Sequence, residues 1–263
     1  MDIIVCIKQV PDTTTVIQID PSGKDIVRDG ITQIISPYDE FAIEEALRIK
    51  EKTGTGEVIL VSVGLDSVKE PLLRGLAMGA DRAIVIPPPA VSHMDSLLTA
   101  TLLASVVQQE KGELVFCGKQ GIDEDNMHVG VMLAELLDWP HVNVVTKLEI
   151  TGNRARAERE IEGGQTEVYD VQLPALFGTH KSLNTPRYAS LPGIMKAKKK
   201  PMDVKTYQDL GLDEATLQGL VQTTVTHYEY PPKKPAGKIL QGMPTEAMVD
   251  QVVGWLRSEA KVI

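Results

Sequence analysis

The chain predicts an α/β protein: an open, mostly parallel sheet with helices on both faces, a small antiparallel meander and an extended C-terminal arm. Three observations lead there. Short, wholly apolar runs alternate with helical patterns through the first half of the sequence. Aromatics make up only 4% of residues against 43% apolar, so the core must be built from Val, Ile, Leu and Ala, which suits strands buried on both faces. Beyond residue 142 the pattern switches to single alternation punctuated by Gly152-Asn153 and Gly163-Gly164.

Residues 3–10 read as a central strand, and Asp20-Pro21-Ser22-Gly23 as the turn of a hairpin in the excursion that follows, which also passes Arg28-Asp29-Gly30. A helix starts at Ser36-Pro37-Tyr38-Asp39, with Ser36 as cap, Pro37 in the first turn and Asp39 as the capping-box acid. It runs to about residue 52 and is closed by Gly54 and Gly56. Then come a strand at 58–63 stopped by Gly64, a helix at 67–78, a strand at 82–87 and an apolar helix at 95–110. Residues 114–117 form a fourth strand, 118–126 a loop, and 129–137 a helix ending before Trp139-Pro140. Strands at 142–150, 155–161 and 166–173 make the meander, and 175–179 returns to the sheet. Residues 186–200 show no helical face, 201 to about 235 are irregular, and 243–256 form a terminal helix. The expected division is a Rossmann-like domain over residues 1–200 and an arm over 201–263, which has little core of its own and is expected to wrap a partner.

In such sheets ligands lie beyond the carboxyl ends of the strands. Here the segments ending at Gln9, Val63 and Cys117, together with the helix start at Ser36, supply that rim. A net charge of −9 argues against nucleic acid, which demands a basic footprint, but leaves small anions open, since local donors hold those. No run of about 18 apolar residues is present for membrane insertion, and the N-terminus enters the first strand without a leader pattern, so a cytoplasmic location is expected. Cys6 and Cys117 lie in apolar runs and read as small buried hydrophobes.

The loop Gly118-Lys119-Gln120-Gly121-Ile122-Asp123-Glu124-Asp125-Asn126 leads from a strand to a helix whose N-terminal N–H groups can receive a phosphate. It is neither a Walker loop nor G-x-G-x-x-G, and a solvated acidic connection is the competing reading. Its three acids repel a phosphate unless they point away or cap the helix. His128, in the first helical turn, reads either as a phosphate donor or as a surface histidine. No histidine pair has metal spacing, and no Ser or Cys nucleophile motif occurs, so no catalytic constellation is present in the sequence. The basic run Lys196-Ala197-Lys198-Lys199-Lys200 is either a solvated face or a docking surface, and the apolar Leu191-Pro192-Gly193-Ile194-Met195 beside it favours recognition.

Several stretches carry a family resemblance: Val5-Cys6-Ile7-Lys8-Gln9-Val10-Pro11-Asp12-Thr13, Ser36-Pro37-Tyr38, Ala77-Met78-Gly79-Ala80-Asp81-Arg82 and Gly118 to Asp123. Arg159-Glu160-Ile161-Glu162-Gly163-Gly164, Leu173-Pro174-Ala175 and the run from Leu183 to Lys200 complete the set. In order and spacing the chain resembles the β subunit of electron-transfer flavoproteins. The resemblance implies an adenine-nucleotide α-hydrolase-like scaffold, a heterodimer with an α subunit carrying the redox FAD, and a structural AMP in β. Its AMP contacts map onto Cys6, Ser36, Pro37, Tyr38, Asp39, Val63 and the loop from Gly118 through Met127, His128 and Val129. Leu191 takes the place of an anchor leucine for flavin dehydrogenases, with Pro192, Ile194, Met195, Lys196 and Lys199 around it. Glu160 matches an acid that pairs with the moving FAD domain, and Tyr38 an aromatic close to the partner's flavin. The acceptor implied is a quinone oxidoreductase of the membrane or a similar protein.

A bifurcating branch holds a second FAD in β in place of AMP and carries Gly-Asp-Thr after the shared acid. The ordinary branch carries Asn-Gln-Thr at the helix start. This chain has Glu124-Asp125-Asn126 and Met127-His128-Val129, departing from both. Glu124 adds bulk and like charge near a diphosphate, so AMP is the favoured occupant and FAD the alternative. A reading from another class, a stand-alone ATP or AMP sensor or enzyme on the same scaffold, would need phosphate-loop Ser/Thr donors and a base that the sequence does not offer.

Overall fold

The computed structural model describes residues 1–91, 93–234 and 236–263, in two compact units, Met1–His227 and Tyr228–Ile263. The first unit is organised by strands whose side chains are apolar on both faces: β1 (Ile3–Cys6), β4 (Val58–Val63), β5 (Arg82–Ile86), β6 (Leu114–Gly118) and β10 (Ala175–Thr179). With β7 (His141–Thr151), β8 (Arg154–Glu160), β9 (Thr166–Gln172) and β11 (Met202–Val204) they form one nine-stranded sheet. Its order is β11-β5-β4-β1-β6-β10-β7-β8-β9. Pairing is parallel from β11 to β7, and β8 and β9 add the antiparallel meander at one edge.

Two helices cover one face, α1 (Pro37–Thr53) and α2 (Lys69–Met78), burying Ile43, Leu47, Leu72 and Leu76 against Val5, Leu60 and Phe116. The other face is covered by α3 (Ser96–Glu110) and α4 (His128–Leu136), with Leu102, Val106 and Leu133 against Ile4, Ile59 and Val115. The chain crosses from β1 through α1 to β4 on one side and later returns from β5 through α3 to β6 on the other. The strand order therefore reverses between β1 and β6, where a ligand crevice is expected.

Four sequence expectations are corrected. The strand expected over residues 3–10 is broken at residues 7 and 8: β2 (Gln9–Pro11) leaves the main sheet and pairs antiparallel with β3 (Gln33–Ile35). Residues 191–197, read as lacking a helical face, form the short helix α5 (Leu191–Ala197), capped by Ser190 Oγ accepting from the Gly193 N–H. Only Ala197 of that helix is buried, so no apolar stripe announces it. Residues 202–220 are not irregular: β11 joins β5, and α6 (Glu214–Leu220) sends Leu217 into the core beside Leu210. The second compact unit begins at Tyr228, later than the expected arm from 201. Finally, Ser36 makes no capping hydrogen bond, and Asp39 has another task described below.

In the second unit α7 (Thr245–Trp255) leads into a π turn, and Lys238 lies over the Trp255 ring and pairs with Glu259. Ile239, Val249 and Val252 are exposed there. Among the described residues no helix is long and apolar enough to cross a membrane.

Candidate functional site

The crevice at the β1/β6 reversal is tied together by Asp39. Its carboxylate accepts from the Lys8 N–H (2.7 Å) at the end of β1 and from the Gly118 N–H (2.8 Å) at the end of β6. The residue is buried, and that burial lifts its pKa to about 7 against the pull of the two donors and the Lys8 charge. Gly118 is required for this closeness, since a Cβ there would sit 2.5 Å from Asp39 Oδ1 and 2.6 Å from Tyr38 Cβ. Thr179, at the end of β10, donates to the Tyr38 carbonyl (2.8 Å) and closes the same corner.

The loop of residues 118–127 resolves the question its acids raised. Asp123 and Glu124 are both taken by Lys8 Nζ, at 2.8 and 3.1 Å. Asp125 accepts from Gln120 Nε2 at 2.5 Å. Asn126 donates to Glu124 Oε2 (3.0 Å) and accepts from the His128 N–H (3.2 Å), a local turn leading into α4. Burial opposes the charge on Lys8, but its bonds to Asp123 and Glu124 prevail and its pKa is raised. Asp125 and Met127 both adopt positive φ, 51° and 58°, which turns the chain sharply into the helix. Gly130 faces β6, where an added Cβ would meet Cys117 Sγ at 2.9 Å, so the helix start seats directly on the strand.

The first turn of α4 follows this loop, and a helix start of this kind offers main-chain N–H donors to an anion, although the His128 N–H is already taken by Asn126. Cys6 lies beneath it, fully packed, and Val63 ends β4 alongside, half-buried. Ser36 Oγ is buried and has no hydrogen-bond partner, an orphaned hydroxyl at the rim. Cys6 and Cys117 are poor nucleophiles: burial and the Asp39 charge push the Cys117 thiol up to about 12, and burial with the Cys117 charge pushes Cys6 well above its usual value. Among the described residues no cluster of His, Cys, Asp and Glu could hold a metal ion. Main-chain N–H groups at a helix start, a spare hydroxyl and acids bonded to Lys8 and Gln120 are chemically compatible with a small anion.

Tyr38 opens a second group on the same rim. Its ring lies 6.4 Å from that of His180, nearly parallel at 24°, with Lys119 Nζ 5.0 Å from its centre. Burial and the Lys119 charge depress the His180 pKa while Glu160, at the exposed end of β8, raises it. Glu160 is thus close enough to His180 to act on it through its charge, on the side where Tyr38 stacks.

The Leu191 helix lies elsewhere. Gly193 packs on the Ala77 carbonyl, where a Cβ would meet the oxygen at 2.4 Å, and Lys200 Nζ donates to the carbonyls of Leu76 (2.9 Å) and Ala80 (2.5 Å). These groups close the C-terminus of α2, just before β5 begins, so α5 sits at the amino ends of the strands, opposite the crevice. Leu191 is 73% exposed, Met195 67% and Tyr188 95%, with Ile194, Pro192, Lys196 and Lys199 also open. Lys200, counted in the basic run, serves instead as a helix cap.

The segment joining the two ends is latched to α1. Asn184 donates to the Phe41 carbonyl and Glu45, both at 3.0 Å, and Arg187 binds Glu44 (2.8 Å) and Glu51 (2.5 Å). Sequence reasoning missed Lys8, Thr179 and His180. Thr179 is the last residue of β10, and Lys8 and His180 lie one or two positions beyond a strand's carboxyl end; that position was the available signal.

Comparison with known proteins gives consistent results. A family model described as "Electron transfer flavoprotein domain" matches residues 24–210. The protein "Electron transfer flavoprotein subunit beta" of Bacillus subtilis (strain 168) is 43% identical over 264 residues, all of both chains. Its namesake in Sus scrofa is 41% identical over 236 residues, covering 89% of this chain and 90% of the relative. In Homo sapiens the figure is 40% over 237 residues, with 89% and 91% covered.

Proposed function

Because the chain belongs to the electron transfer flavoprotein family and aligns end to end with β subunits, we propose that it is the β half of a cytoplasmic, heterodimeric electron carrier. It holds a structural AMP at the β1/β6 crevice, while the α subunit carries the redox FAD. Electrons enter from acyl-CoA-type flavin dehydrogenases that dock at the Leu191 helix, as in fatty acid oxidation, and leave to a membrane quinone oxidoreductase or similar acceptor. The chain catalyses nothing alone. The second unit, with exposed Ile239, Val249 and Val252, embraces the α subunit.

One observation carries the nucleotide assignment. All three loop acids are bonded, Asp123 and Glu124 to the Lys8 ammonium and Asp125 to the Gln120 amide, which favours an attraction of the α4 terminus for an anion. The AMP phosphate rests on the N–H groups around His128 and Val129, and Ser36 offers its hydroxyl to the nucleoside. Tyr38, with His180 and Lys119 against it, faces the partner's flavin, and Glu160 on the same face meets a cation of the moving FAD domain.

Mass spectrometry of nucleotides released from the purified α–β complex tests this reading. One AMP and one FAD per complex supports it. Two FAD and no AMP moves the assignment to electron bifurcation, and hydrolysis of ATP by the isolated chain to a stand-alone enzyme.

A further inference from the structure

Lys8 occupies an unusual junction in the crevice. Its backbone is held at both polar atoms: the N–H donates to Asp39 Oδ2 (2.7 Å) and the carbonyl accepts from the Ser36 N–H (2.9 Å). Its side chain then crosses to the β6–α4 loop. An added Cβ at Gly121 would come within 2.9 Å of Lys8 Cδ, so a residue without a side chain lets the stem pass. The ammonium ends between Asp123 and Glu124, 115 and 116 positions away in the sequence. One residue thereby joins the three rim segments that surround the α4 terminus.

The charges explain why that junction is needed. Asp123 and Glu124 precede α4 by a few residues, and two free carboxylates there would cancel the attraction of a helix N-terminus for an anion. Lys8 is already bonded to both and points at them. We infer that Lys8 is a positioning residue: by binding both Asp123 and Glu124 it offsets one of their two negative charges and fixes both carboxylates, and so permits a nucleotide monophosphate to bind at the anion seat. It acts through the acids, not by contact with the phosphate. The inference rests on the nucleotide reading above and names the side chain on which that reading depends.

The test uses the α–β complex stripped of nucleotide, with AMP as the probe and calorimetry as the readout. Lys8→Met leaves two uncompensated carboxylates within reach of the seat, and AMP binding should weaken about tenfold or more, the loss shrinking as salt is raised. Lys8→Arg should bind like the wild type. The decisive variant combines Lys8→Met with Asp123→Asn and Glu124→Gln. If Lys8 acts by neutralising the acids, this triple variant recovers affinity to within about twofold of wild type, although it lacks the lysine. A purely structural strut, or a lysine that touches the phosphate, predicts a triple variant as weak as Lys8→Met, and that result overturns the inference. Unchanged affinity in Lys8→Met also overturns it. A wild-type complex that binds no AMP removes the nucleotide reading itself and this inference with it, so the two failures are distinct.

Discussion

Replacing Asp39 with Asn attacks the crevice at its tie point. The carboxylate serves two buried N–H donors, from Lys8 and Gly118, one with each oxygen. An amide keeps one acceptor and turns an NH2 toward the other donor, leaving a buried N–H unpaired at a cost of about 1–3 kcal/mol. A pH signature accompanies this loss. Asp39 has a folded pKa of about 7, above an unfolded value of ~3.9. The proton is therefore bound more tightly in the native state. The resulting stability is fully present below the unfolded value and is lost as pH rises through 7. The span corresponds to about 4 kcal/mol in all, of which roughly 2–3 kcal/mol falls between pH ~5 and ~8. Asn cannot titrate, so Asp39→Asn should cost most at acid pH and least at alkaline pH. Urea unfolding of the full chain, followed by circular dichroism across that range, measures the difference between the two proteins. Parallel pH profiles for wild type and variant would refute the reasoning.

Three further perturbations probe separate parts. Leu191→Ala removes the exposed apolar anchor of α5; we predict about a tenfold or greater rise in KM for a native dehydrogenase donor, with heterodimer assembly and nucleotide content unchanged. Gly118→Ala forces a Cβ into Asp39 and Tyr38, so the variant complex should lose bound nucleotide as well as melting temperature, while dehydrogenase docking persists in whatever fraction stays folded. Arg187→Ala strips one of two guanidinium partners from the buried Glu44 carboxylate, leaving Arg48; stability should fall by about 1–3 kcal/mol in urea, and donor KM should rise because the segment leading to α5 loses its hold on α1.

The parallel half of the fold was legible because its signals are local. β4, β5 and β6 are largely apolar runs, interrupted only by Ser62 in β4 and opened by Arg82 in β5; α3 carries an aspartate cap, and each helix between them ends at a glycine or a polar turn. The misread elements are those whose apolar pattern is thin. β11 has three residues and owes its place to pairing with β5, while α6 buries a single side chain, Leu217, and α5 only Ala197. At the crevice, the sequence located the loop and the helix terminus but not the fate of the acids. That depended on Lys8, more than a hundred residues upstream, and no spacing rule connects the two. Ser36 looked like a cap and is not one; Asp39 looked like a capping acid and is a strand tie. Side chains pulled away from local roles in this way mark where the fold serves a site.

The central claim is that the end of α4 is the seat of an adenylate. Hydrogen–deuterium exchange of the α–β complex with and without AMP tests it at residue level. AMP should slow exchange in residues 118–131, with smaller protection at residues 6–8 and 36–39, and leave the Leu191 helix unchanged. Protection confined to some other region, or none at saturating AMP, would contradict it.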